Sequence, residues 1–574
     1  MKKLLLSAAF IAASFTSIAQ VGINTVAPQG TLDVVSVNDT GLVLPRVSSL
    51  DAVTDGGGNA PVNGTAVYAV DIDKACFYIN TKWICLNSNG TTTIEESTPP
   101  NPITMAYIKP PYLDSNDQFG LRSVISDDGN TIAVVSRNDS SSAAGIFSAS
   151  SINASNAGNN SLASAGSVYV FSRANNTVDF AVEAYIKNAN PTAADVFGFR
   201  GLLMSGDGNT LVVGSVKGVA YIFTRSGTTW TERQSVTKND GSGDRFTASA
   251  ISQDGTTIAF GAERADSSAV GIDPSGDGSD GSSSNTGEVF IYVRSGNTWS
   301  QQAYIKPSQV NASDGFTAST LSSDGDILIA KSGGYDATVS NGGAIFVFRR
   351  NNAGVWTESQ IIQAPNVSTN DGGSITTSLS GDGLTLAIGM RQEGSGTDAI
   401  ISASGTIPTD ETASSSGAVY IYNYSGSQFV FETYIKAPNA EVGDFFGQGV
   451  ALTTDGNKLF VSSLGDDSDA NGVFLSGDSG YAAALADNSA TSEAGAVYVF
   501  KRSAGIWTAA AFIKAENSDG SDRFSTIMVT SNGNTLIVGA IKEQSNSTTI
   551  GAVQSDNSIT EGAGAAYVID VSGI

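Results

Sequence analysis

The stretch Ser205 to Gly214, "SGDGNTLVVG", decides the fold. An Asp-Gly pair stands in front of a run of aliphatic and β-branched residues. It has three readings: a phosphate loop, a calcium loop or a tight turn. A phosphate loop needs a following helix and usually a Lys, and neither is present. A hard cation wants about six to eight oxygens, several of them from carboxylates, whereas Ser205–Thr210 contains a single acid. A hairpin turn needs only a Gly able to take positive φ between two strands. The stretch is therefore read as a turn.

The turn recurs. The pattern [ST]-x-[DN]-G ends on Gly129, Gly208, Gly255, Gly325, Gly383, Gly456 and Gly533, and a short β-type run follows each copy. A second pattern comes next, a Gly followed by small, aromatic and aliphatic residues: "GSVYVF" from Gly166, "GVAYIF" from Gly218, "GEVFIY" from Gly287, "GAIFVF" from Gly343, "GAVYIY" from Gly417, "GAVYVF" from Gly495 and "GAAYVI" from Gly564. Such density of branched and aromatic residues marks strands. A third pattern, "AYIK", begins at Ala106, Ala184 and Ala303, with "TYIK" at Thr433, "AFIK" at Ala511 and degenerate copies at Ser235 and Gln360. Trp230, Trp299, Trp356 and Trp507 lie upstream of four copies. Asp-x-Phe closes each unit, as in Asp117/Phe119, Asp195/Phe197, Asp244/Phe246, Asp314/Phe316, Asp444/Phe446 and Asp522/Phe524; the fifth unit keeps Asp371 but has Gly373 in place of Phe.

Seven units in one order, with constant strands and a variable loop between strands two and three, mean stacking of one small sheet. Four strands per unit point to an all-β fold, a seven-bladed β-propeller of four-stranded antiparallel blades. The last unit stops after three strands, and the first "AYIK" precedes any unit. The segment 103–110 is therefore expected to close the last blade as its outer strand and remove an open seam.

Bulk composition narrows the function classes. Asp and Glu number 55 against 30 Lys and Arg, a formal charge of −25. That excludes the basic surface a nucleic acid backbone requires and disfavours anionic lipid. There is no His, which removes the commonest general base and metal ligand. Lys2 and Lys3, an apolar run from Leu4 and the small residues Ser17-Ile18-Ala19 read as a signal peptide over 1–19, and no later segment is long and apolar enough for a membrane span. A secreted or cell-surface location is expected. Cys76 and Cys85, in "CFYINTKWIC", are placed to join across two short strands, and an oxidising compartment favours a disulfide.

The repeats resemble the FG-GAP repeats of the integrin α-chain propeller and its bacterial relatives. Phe119-Gly120, Phe197-Gly198 and Phe446-Gly447 match the "FG"; Gly261-Ala262 and Gly539-Ala540 match the "GA"; "GAVYVF" matches the third strand. The resemblance runs from about Ile103 to Ile574 and implies a propeller platform. In the family several first hairpins carry Asp-rich calcium loops; the single acid of these turns does not carry those sites over. Acidic clusters elsewhere, Asp273, Asp277 and Asp280 in one loop and Asp466, Asp467 and Asp469 in another, are read as solvated loops, with a weakly held calcium ion as the sharper alternative. No cofactor is required.

Residues 20–90 are read as a separate small β-rich module; "VGINTVAPQGTLDV" from Val21, "GLVLPRV" from Gly41 and the Cys hairpin resemble an N-terminal module of secreted Bacteroidetes proteins. It is read as an attachment piece or, more sharply, as an oligomerising or docking module. Residues 91–102, "TTTIEESTPPNP", read as a linker, leaving 103–574 for the propeller. The leading expectation is a binding or adhesion protein that uses a propeller face, lined by loops rich in Ser, Asn, Gly and Asp, to hold extracellular polysaccharide or protein. The alternatives are a polysaccharide lyase or glycosidase, for which no carboxylate pair stands out, and a structural envelope component.

Overall fold

In the computed structural model the chain divides into two compact units, Met1–Pro102 and Ile103–Ile574. The structure describes residues 104–574 apart from 177–178, 239–243, 274–282, 310, 337, 487–491, 546, 549 and 552–561, together with parts of 21–95. The stretch read as a signal peptide lies outside the described residues, as do Asp277 and Asp280.

In the first unit Val21–Ile23 pairs in parallel with Leu32–Val34. A five-stranded sheet follows, in the order Arg46–Val47, Ala66–Ala69, Lys74–Ile79, Lys82–Leu86 and Thr92–Glu95. Cys76 opposes Cys85 in the register of its central hairpin, and the two form a disulfide. Val67, Ala69, Tyr78 and Trp83 pack around it. Thr92–Glu95, within the stretch read as linker, is an edge strand paired with Lys82–Leu86. Its run of β-branched residues outweighs the polar composition of its surroundings.

The second unit is all-β and propeller-like, and its described helix is confined to short turns such as Ala149–Ser151 and Tyr481–Ala484. Among the described residues it holds seven antiparallel sheets of four or five strands. The first contains Phe119–Ile125, Thr131–Ser136, Ser167–Ser172 and Ala181–Ile186, paired in that order. The inner strand of each sheet packs on the next sheet, and that of the last, Phe524–Val529, packs against Phe119–Ile125 of the first. The seventh sheet has its three C-terminal strands completed by Met105–Ile108, which pairs antiparallel with Ala565–Asp570.

Four strands per unit is too few for four of the sheets. Ile146–Ser148, Ile272–Asp273, Ile400–Ser402 and Val473–Leu475 each add a fifth strand on the outer edge, paired to strand four. All four lie in the long loops between strands two and three. These loops fold back over the sheet edge and satisfy its open backbone groups. In the seventh sheet Gly551 does the same with a single bridge to Tyr107.

Each repeated motif has a local physical cause. In the first hairpin Ser126 Oγ donates to Asp128 Oδ1 (2.5 Å) and accepts from the backbone N–H of Thr131, while Asp128 Oδ1 also accepts from Asn130 N–H. Gly129 closes the turn at φ 71°. The same network holds Ser205, Asp207 and Gly208 (φ 68°). In Asp128 and Asp207 burial pushes the carboxyl pKa up, but the bonds from Ser and from the Asn N–H more than offset it and hold it low. The Gly opening strand three meets the next sheet: a Cβ on Gly166, Gly287, Gly417 or Gly495 would strike the backbone of Phe197, Phe316, Phe446 or Phe524. On Gly564 it would strike Phe119, carrying the relation from the last sheet to the first.

Candidate functional site

The inner strands enclose a cavity of about 310 Å³ lined by residues from all seven sheets. The first hairpins gather at one end of it. Their second residues bond in succession, Asp127 N–H to Gly206 O (2.8 Å), Gly206 N–H to Gln253 O (2.7 Å) and Gln253 N–H to Ser323 O (3.0 Å). Gln253 Nε2 reaches both Asp127 Oδ2 and Ser531 Oγ, and Ser531 Oγ donates to Asp127 Oδ1. Side chains of the first, third and seventh sheets thus meet in one floor. Above it the wall mixes aliphatic residues such as Val450 and Ile527 with Ser249, Ser319 and Thr377.

The opposite end carries cations. Antiparallel order brings to it the starts of the inner strands, the Asp-x-Phe segments and the long loops between strands two and three. Arg122 is solvent-accessible on its inner strand, and its Nε donates to Phe199 O at 3.0 Å. The guanidiniums of Arg137 and Arg200 lie over the Phe199 ring, 4.6 and 5.2 Å from its centroid. Arg391 sits 5.5 Å from the Phe445 ring and donates to Gln448 Oε1 at 2.7 Å. Lys331 Nζ donates to Ile375 O at 2.5 Å. Crowding by the surrounding inner strands, then the charge of Arg200, lowers the pKa of Arg122, although its surface still meets solvent; crowding lowers that of Lys331 as well, Glu263 raises it, and Arg122 and Arg391 lower it further. Glu263 opposes these cations and is itself paired with Arg245 at 3.1 Å.

The acids singled out in the sequence do other work. Asp466, read as part of a solvated loop, is buried at 1% exposure. It pairs with Lys514 Nζ at 2.8 Å and accepts from Tyr498 and Ser468 hydroxyls. Burial pushes its pKa up, but Lys514 and those bonds more than offset this, and the net shift is downward. Asp467 Oδ1 accepts from Glu493 N–H, Asp469 is exposed, and Asp273 is exposed at a sheet edge. Among the described residues no group of three or more Asp, Glu or Cys is arranged to hold a metal ion.

Sequence reading missed the partners of "AYIK". Its Lys side chains are buried against acids of the long loops: Lys109 with Glu543, Lys187 with Asp139 and Lys436 with Glu393. The motif Tyr joins in, Tyr185 to Asp139 and Tyr434 to Glu393. The available signal was an acid-x-Ser triplet after strand two, present as Asp139-Ser140-Ser141, Glu393-Gly394-Ser395, Asp466-Asp467-Ser468 and Glu543-Gln544-Ser545. The Asp of Asp-x-Phe caps its own turn: Asp117, Asp314, Asp371, Asp444 and Asp522 each accept from the backbone N–H three residues earlier.

A family model described as the phage tail like trimerisation region matches residues 22–97. No curated protein matches the chain in sequence. Among solved structures it is similar to a protein of Bacteroides uniformis provisionally named 6-phosphogluconolactonase, at 12% identity and TM-score 0.39, over 76% of this chain and 92% of that one. It is also similar to the WD40 repeats of RRP9, at 9% identity and TM-score 0.41, over 81% and 97%. At these values neither likeness speaks to activity. No helix among the described residues is long and apolar enough to cross a membrane.

Proposed function

We propose that the protein is an exported binding protein, adhesive in role, whose second unit is a seven-bladed propeller of FG-GAP type closed by 103–110. Its ligand is an extracellular polysaccharide or protein, held on the face that carries the long loops. The observation that carries this reading is the tethering of those loops. Each of four is stapled to its sheet by an edge strand, and three of those four are also stapled by a buried Lys–acid pair. A binding surface built this way is organised before its ligand arrives. The FG-GAP reading draws support from the glycines. A Cβ on Gly539 of the "GA" pair would lie 1.9 Å from Gly120 O of an "FG" pair. Only glycine lets those two backbones approach so closely.

The protein is not an enzyme in this reading. Asp139, Glu393, Asp466 and Glu543 are committed to lysines inside the fold. The first unit is a trimerisation region, a reading supported by the family match over 22–97, and the disulfide suits an oxidising location. Trimerisation would present three binding faces and raise avidity for a repeating polymer. A glycan and matrix-protein array run beside polysaccharide turnover assays tests the binding reading. Binding without turnover is the expected result, and release of any product would overturn it. Sedimentation of the mature chain tests the trimer, which a monomer at micromolar concentration would refute.

A further inference from the structure

The chain carries a formal charge of −25, yet four of its cations converge on one rim. Arg122, Arg200, Lys331 and Arg391 come from the first, second, fourth and fifth sheets, and among the described residues none has a carboxylate within ion-pair distance. Like charges brought together repel one another in a partly desolvated site, and the acid that opposes them, Glu263, is itself paired with Arg245. Aromatic rings and backbone carbonyls hold them instead: Phe199 under Arg200, Phe445 under Arg391, Phe199 O beside Arg122 and Ile375 O beside Lys331. Stacking fixes a guanidinium plane while leaving its charge unneutralised. Arg391 Nε is a buried donor without a partner. The arrangement is positive and leaves a donor unused.

The cavity beyond the rim bears the hydroxyls of Ser249, Ser319 and Thr377; Thr377 donates to Ser319 at 2.8 Å and Ser249 to Thr247 O at 3.3 Å, which leaves the Ser319 hydrogen and the remaining oxygen lone pairs for a ligand. At about 310 Å³ it has room for a single sugar unit, and its far end carries the bonded side chains of Asp127, Gln253 and Ser531. We propose that this rim is a binding site for an acidic polysaccharide, with a uronate carboxylate or sulfate ester held by Arg122, Arg200 and Arg391 and the sugar ring facing the hydroxyl-lined cavity. The inference rests on the binding reading above and narrows it to anionic glycans. Guanidinium forks match both oxyanions in a bidentate way.

Calorimetric titration of the mature chain decides it, with a galacturonate hexasaccharide, a heparin hexasaccharide, maltohexaose and hexaglutamate as probes. One or both acidic saccharides bind, the affinity falls with added salt, and maltohexaose does not bind. The Arg122→Gln/Arg391→Gln double variant loses about tenfold in affinity per charge removed, while its thermal midpoint stays unchanged. Arg391→Lys, which keeps the charge but not the fork, loses less and guards against a folding artefact. Binding of maltohexaose but of neither acidic saccharide overturns the inference and keeps the broader reading. Acidic binding untouched by the double variant overturns the site. Binding of hexaglutamate alone, with the array negative for every glycan, overturns both.

Discussion

Lys109 Nζ lies 2.5 Å from Glu543 Oε2, with both side chains wholly shut off from solvent. Lys109 also donates to Ser545 O at 2.7 Å, and Tyr107, 436 residues before Glu543, donates its hydroxyl to Glu543 Oε1 at 2.8 Å. Inside one repeat the same contacts join Lys187 to Asp139 and Lys436 to Glu393. Here they join the first strand of the second unit to its last long loop. Stranding a buried charge costs about 3–5 kcal/mol, far more than the pair itself is worth. Lys109→Met is accordingly expected to destabilise the second unit by about 3–5 kcal/mol in a denaturant titration. A loss under about 1 kcal/mol would mean that Glu543 is solvated there.

Two glycines with nearly the same φ separate conformational strain from crowding. Gly120 has φ 93° and Gly426 φ 92°, but a Cβ on Gly120 would lie 2.2 Å from Ala565 O, while on Gly426 it would meet nothing within 4 Å. Gly426→Ala carries only the penalty for positive φ, about 1–2 kcal/mol. Gly120→Ala adds the displacement of a neighbouring sheet, for a total of roughly 3–5 kcal/mol. Thermal unfolding of the two variants side by side measures the difference, and equal losses would deny the close approach.

Burial pushes the Asp371 carboxyl up to about 7 despite the N–H it accepts from Ser368, and that of Asp117 likewise to about 7. A raised acid pKa means that the folded state holds protons the unfolded chain has released. Stability from these groups therefore falls as pH rises from about 4 to about 7, and it is regained on acidification through that window. Asp371→Asn keeps an acceptor for Ser368 N–H and removes the titration. Its thermal midpoint is expected to vary less across this window than that of the native chain, and parallel curves would contradict the assignment.

The disulfide belongs to the first unit alone. Its short loop stabilises by roughly 2–3 kcal/mol. Reduction is expected to lower the unfolding transition of the first unit by calorimetry and to leave that of the second in place. A shift in both would show that they unfold together.

Much of the architecture was legible because turn and strand chemistry is local. Ser205, Asp207 and Gly208 each act within five residues, so their spacing repeats intact. The partners of "AYIK" were not legible in that way. Asp139 and Lys187 stand 48 residues apart, Glu393 and Lys436 43, with a variable loop between them. The fifth strands went unread for the same reason, since Ile146–Ser148 and Val473–Leu475 sit in loops of irregular length. Half of the cationic rim carried a sequence signal that went unread: Arg122 and Arg200 hold the same place in their repeats, the fourth of "FGLR" and "FGFR", whereas Lys331 and Arg391 lie near the ends of two second strands, Ile327–Ser332 and Thr385–Met390, at different distances from the turn glycine. The fifth repeat shows the limit of a motif. Gly373 replaces the Phe, and a Cβ on Gly343 meets Gly372 and Ile375 instead.

Closure of the ring is the claim on which the binding face depends, and hydrogen exchange at Met105–Lys109 reads it directly. Tyr107 N–H donates to Gly551 O at 2.8 Å, and the strand is paired along Ala566–Ile569. Peptides covering these residues are expected to exchange as slowly as the central strand Thr535–Ala540, and Lys109→Met is expected to speed them. Exchange at the rate of an unpaired chain in the native protein would contradict closure.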